Sequence, residues 1–168
     1  ADLLVNNSDS GGYIRDSKSN GNKGAYYENA VNLHDNTGSD AGTNPDMVFV
    51  YLGTNDFSTA QQPHESVFRN NYIRLLTSIK ANYGEDIPIL CMASPANPYM
   101  YDYIRSAVTA SGLKNIAYMA VSNMAHNNED DLGASWHPNY KGHIKVASCM
   151  IPYISTLTGW EMEEKPYK

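Results

Sequence analysis

Between residues 47 and 121, three apolar runs of strand length alternate with two segments of helical period, and that order leaves few folds open. The first run, Met47-Val48-Phe49-Val50-Tyr51-Leu52, is continuous rather than alternating and stops at Gly53, as does a parallel strand covered on both faces. Phe68, Tyr72, Leu75, Leu76, Ile79 and Tyr83 then recur at helical spacing, with Gly84 placed to cap the C-terminus. Residues 87–92 read as a second buried strand, residues 100–108 as a shorter helix closed by Gly112, and residues 115–121 as a third strand. Strand, helix, strand, helix, strand implies right-handed crossovers, a central parallel sheet and helices on both faces, with ligands met at the carboxyl ends of the strands. Residues 139–157 predict a closing helix that Pro152 is expected to kink or interrupt.

The N-terminal quarter is different. Residues 2–5 read as a short strand opening into the turn formers Asn6-Asn7-Ser8-Asp9-Ser10-Gly11-Gly12. Residues 15–44 form a polar, glycine-rich excursion in which only 25–33 suit a helix. At 168 residues, the chain is expected to form one domain spanning 1–168. A formal charge of -6 with 18% charged residues provides no basic stripe for nucleic acid, and no apolar run is long enough to cross a bilayer. Cys91 and Cys149, far apart in apolar contexts, read as small buried hydrophobes rather than a disulfide or metal pair, and leave the compartment open. The 13 tyrosines suit contact with sugar rings, since an aromatic face packs on C–H groups while the hydroxyl hydrogen-bonds.

Three segments fall where such a sheet would place a site. Gly53-Thr54-Asn55-Asp56 follows the first central strand: glycine permits a sharp turn, and the Asn55 amide can donate to a developing oxyanion. A plain strand-to-helix turn would also account for Gly53 and Asp56, but not for Asn55. Trp136-His137-Pro138-Asn139 precedes the closing helix and offers His137 as a general base. His34, His64 and His126 lack that framing and read as surface residues, while His143, one turn into the helix, reads as packing. In the N-terminal cluster, Gly11 would present a backbone N–H to the same oxyanion.

These strings resemble the SGNH hydrolases, whose four motif blocks carry a serine, a glycine, an asparagine and a histidine. Val5-Asn6-Asn7-Ser8-Asp9-Ser10-Gly11 looks like the second block, Gly53-Thr54-Asn55-Asp56 like the third, and His137 with Pro138 and Asn139 like the fourth. The longer strings Leu52-Gly53-Thr54-Asn55-Asp56-Phe57-Ser58-Thr59 and Trp136-His137-Pro138-Asn139, with Gly142-His143, are similar to carbohydrate esterase family 2, extracellular acetyl esterases of plant-wall polysaccharides. The resemblance implies a three-layer α/β/α, flavodoxin-like fold lacking its first strand in this chain. It also implies a cofactor-free, metal-free, secreted enzyme acting on acetylated polysaccharide or oligosaccharide. His137 would be its base, Asn55 and Gly11 its oxyanion donors, and Trp136 a wall of the acetyl pocket or a sugar platform, a core role for Trp136 standing equally open.

The sequence departs from that pattern twice. The Gly-Asp-Ser block that carries the nucleophile is absent, so the serine is expected upstream of Ala1, in a preceding fragment or domain, with Ser8 or Ser10 as the alternative. Ala134 stands where the superfamily places the aspartate that orients the histidine, and Asp130 and Asp131 are out of register. The expectation is that a backbone carbonyl holds His137, giving a Ser-His dyad. Two rival readings remain: a lipase or thioesterase on the same fold, and a carbohydrate-binding remnant without catalysis.

Overall fold

The computed structural model describes residues 45–57, 62–94, 98–121, 129–134 and 137–162, except for the side chain of Asn55. The expected strand at 2–5, the turn cluster with Ser8, Ser10 and Gly11, the helix at 25–33, and Trp136 lie outside the described residues. Within them the elements are β1 (Val48–Val50), a 3-10 turn (Thr54–Phe57), α1 (Glu65–Tyr83), β2 (Ile89–Ala93), α2 (Pro98–Ser111), β3 (Ile116–Ala120), a 3-10 turn (Glu129–Asp131) and α3 (Tyr140–Thr158).

The three strands form one parallel sheet in the order β1-β2-β3, with Val48 opposite Ile89 and Ile89 opposite Ile116. All five residues of β2 are buried, because it is the middle strand and both its faces are covered. Successive side chains point to opposite faces, and this sorts the core into two layers. Ile89, Cys91 and Ala93 pack with Phe68, Tyr72, Leu75, Leu76 and Ile79 of α1 and with Met100, Ile104 and Ala107 of α2. Leu90 and Met92 pack with Met119, and against them lie Val146, Cys149, Met150, Ile154 and Leu157 of α3. The result is the three-layer α/β/α arrangement expected from the alternation.

Helix ends follow the sequence signals. Gly84 closes α1 with φ 103°, its N–H donating to the carbonyl of Lys80 at 2.9 Å. Asn139 caps α3, and Gly159 ends it in the left-handed region. Pro152, expected to kink or interrupt the last helix, lies inside α3 without interrupting it. Its missing N–H frees the carbonyl of Ser148, and both residues are exposed, so water can take that bond. His143 is likewise exposed rather than packed. Both cysteines are free. Burial pushes the Cys91 thiol up to about 12, against the opposing hydrogen bond with Tyr72, so it remains a protonated, inert part of the core.

The amino-terminal edge of the sheet is tied by one cation. Lys80, 5% exposed, donates from Nζ to the carbonyls of Glu85 (2.8 Å), Ile87 (2.6 Å) and Lys114 (2.7 Å), joining the end of α1 to the segments entering β2 and β3. Burial lowers the lysine from its ordinary value, while the charges of Asp86 and Glu85 pull it back. Replacing Lys80 with Met leaves three carbonyls without their donor, and at about 1 kcal/mol each the folded chain is expected to lose roughly 3 kcal/mol. Thermal denaturation should read this as a fall of about 6 to 12 °C.

Candidate active site

Two of the sequence-predicted segments follow the carboxyl ends of strands, where a parallel sheet meets its ligands. The first, after β1, turns at Gly53, whose φ of 114° is a region L side chains rarely adopt. A Cβ on Gly53 would lie 3.1 Å from Met100 Cε and 3.2 Å from Phe68 Cζ, so the backbone rests directly on the core. The turn closes with Asp56 N donating to the Gly53 carbonyl at 3.0 Å. Asp56 is fully buried, and Phe57 is anchored edge-on against Phe68 and Tyr103 with centroids 5.3 Å apart in each pair. Asn55 lies within this 3-10 turn, between the exposed Thr54 and the buried Asp56.

The second segment, after β3, doubles back on itself ahead of α3. Gly133 N donates to the His137 carbonyl at 2.7 Å, Asn139 N donates to the Asp131 carbonyl at 2.8 Å, and Leu132 pairs with Pro138 in an antiparallel bridge. At its tip the carbonyl of Ala134 accepts from His137 N at 3.2 Å and lies 3.2 Å from His137 Nδ1. A carbonyl only accepts, so this contact places the proton on Nδ1 and leaves Nε2 with its lone pair free. The ring is exposed. A neutral imidazole with its proton on Nδ1 has a basic Nε2, which can receive a proton from a nucleophile. Among the described residues, the group that meets Nδ1 is a main-chain carbonyl and not a carboxylate.

Two residues that the motif reading left without a specific role hold this loop. Asn139 accepts at Oδ1 from Lys141 N (2.9 Å) and Gly142 N (3.1 Å), and donates from Nδ2 to the carbonyls of Asp130 (2.8 Å) and Leu132 (3.2 Å). Asparagine directly before a helical pattern is a legible N-cap signal, although its second set of bonds is not. Lys145 places Nζ 2.6 Å from Oδ2 of the buried Asp131, a pairing across 14 residues that no local periodicity announces. Asp131 is therefore engaged with Lys145 rather than with the imidazole. No group of three or more metal-ligating side chains occurs among the described residues. The Asn55 side chain, Gly11 and Trp136 lie outside the described residues.

Comparison with known proteins gives a consistent picture. The chain is 26% identical over 125 residues to the cellulase/esterase CelE of Acetivibrio thermocellus, an alignment covering 69% of this chain and 15% of that protein. Its structure is similar to that of an acetyl xylan esterase (Est2A) from the rumen bacterium Butyrivibrio proteoclasticus, with a TM-score of 0.60 and 18% identity. That match covers 70% of this chain and 38% of the esterase, and it supports a shared fold. The chain thus spans well under half the length of either protein. Residues 6–150 match the model of the GDSL-like lipase/acylhydrolases, which takes in both segments described above, and the chain belongs to that family.

Proposed function

We propose that the chain serves in a carboxylic ester hydrolase that removes O-acetyl groups from plant polysaccharides or acetylated sugars outside the cell. A serine hydroxyl attacks the acetyl carbonyl while Nε2 of His137 takes its proton, and the Asn55 amide and Gly11 N–H stabilise the tetrahedral oxyanion. His137 returns the proton to the departing sugar oxygen as its bond to the acetyl carbon breaks, then activates the water that releases acetate. Trp136 walls the acetyl pocket. The nucleophile belongs to a Gly-Asp-Ser block, a string this sequence does not contain.

The observation that carries the reading is the Nδ1 contact with the Ala134 carbonyl, which puts the lone pair of the neutral ring on Nε2 in a loop of an acylhydrolase-family chain. Acetyl specificity is supported by the similarity to an acetyl xylan esterase and by the motif strings around Asn55 and His137.

Acyl-chain profiling of the full-length protein tests it. Rates on acetyl esters should exceed those on butyryl and octanoyl esters, and acetylated xylan should release acetate. Equal or faster cleavage of octanoyl esters would point to a lipase instead. Retention on polysaccharide without any release would point to a binding module.

A further inference from the structure

We infer that Asp131 and Lys145 form a positioning pair that sets the orientation of the His137 imidazole, an inference that rests on His137 being the base. The imidazole is held by the Ala134 carbonyl, so its direction is only as fixed as the backbone of the loop that carries that carbonyl. That loop is a narrow stem, cross-linked by Gly133 N to the His137 carbonyl and by Asn139 N to the Asp131 carbonyl. The stem must in turn be fixed to the rest of the protein.

It has two attachments to α3, at different heights along the helix. The lower one is at the helix start, where the Asn139 side chain binds the amides of Lys141 and Gly142 and the carbonyls of Asp130 and Leu132. Gly142 belongs to it as well: a Cβ there would collide with the Asp131 carbonyl, so the stem lies flush on the helix backbone. The upper attachment is Lys145, three residues beyond Gly142 and about 4.5 Å further along the axis at 1.5 Å per residue. Its ammonium reaches back 2.6 Å to Oδ2 of Asp131, which is 1% exposed.

One attachment would leave a hinge about which the stem could tilt. Two separated attachments fix the tilt, and with it the direction in which Nε2 points. A buried carboxylate is costly unless paired, and among the described residues Lys145 is the cation that pairs with Asp131. The pair thereby enforces one arrangement of the stem on the helix, and an ion pair spends its energy on specificity of this sort more effectively than on net stability.

The test uses the full-length protein carrying Lys145→Met, Lys145→Arg or the neutral double replacement Asp131→Asn with Lys145→Gln. Two readouts are needed: steady-state kinetics on an acetyl ester, and the imidazole nitrogen shifts of His137, which report the tautomer without any turnover. Lys145→Met is expected to lower kcat by about ten- to a hundredfold, as small misplacements of a reacting group do, with KM changed by less than about twofold. The Nδ1-protonated signal should give way to a tautomer mixture, and Lys145→Arg should restore most of both. If Lys145→Met does not fold, the double replacement, free of an unpaired buried charge, takes its place with the same expectations. Parent kcat together with the parent tautomer signal in the folded variant would overturn the proposal. If His137 proves dispensable for turnover, the base assignment falls, and the nitrogen shifts still decide whether the pair orients the ring.

Discussion

Replacing His137 with Ala is expected to lower kcat for acetate release by about three orders of magnitude, the midpoint of what a positioned general base contributes. The side chain is exposed, and among the described residues its one bond runs from Nδ1 to the Ala134 carbonyl. Losing it creates no cavity and strands no buried group, so the folded chain should keep its stability within about 0.5 kcal/mol. The proton transfer is specific to the transition state, so KM should barely move. Kinetics combined with a melting curve separate the two effects. An unchanged rate would remove His137 from the chemistry, and a large loss of stability would recast it as a structural residue.

Gly53→Ala should act in the opposite way, through the fold first and the chemistry second. The residue combines a φ of 114° with a position where a methyl group would meet Phe68 and Met100 at 3.1 to 3.3 Å. Either the backbone leaves that region or the aromatic core yields, and strain with overpacking together should cost about 3 kcal/mol. Because Gly53 starts the turn whose next members are Thr54 and Asn55, any relaxation moves the Asn55 backbone. A fall in kcat of about tenfold or more in the remaining folded protein is expected if the Asn55 amide is an oxyanion donor. Melting temperature and kcat measured per folded molecule test the two parts. A stable variant would show that the turn tolerates a Cβ, and a destabilised variant with parent kcat would detach Asn55 from the oxyanion.

Much of the layering could be read from residue order because burial on two faces leaves a strong mark. The run ILCMA in β2 has no polar residue, and the spacing of Phe68, Tyr72, Leu75, Leu76 and Ile79 is that of a helical face packed on one side of it. Boundaries were less legible: β1 is only Val48–Val50 of the six-residue apolar run, because Tyr51 and Leu52 already belong to the approach to the turn. Of the two outcomes open for Pro152, interruption does not occur, and whether a freed carbonyl faces water is a tertiary fact that residue order does not carry. In the site, His137 and its helix-capping neighbour were visible as a motif. Lys145 was not, since its pairing with Asp131 exists only once the loop has folded back on α3.

Holding an imidazole by the Ala134 carbonyl has a consequence for working conditions. A carboxylate in that role can be neutralised by acid, and it then loses the charge that favours the imidazolium form. A peptide carbonyl has no such equilibrium, so the tether on Nδ1 survives at acidities where an aspartate would be failing. What it gives up is the ionic stabilisation of the protonated ring. The side chain at position 134 is exposed, so mutation there should be silent so long as the backbone path is kept. Residue identities suggested that a carbonyl holds the ring, and the conformation of the main chain is what identifies it as that of Ala134.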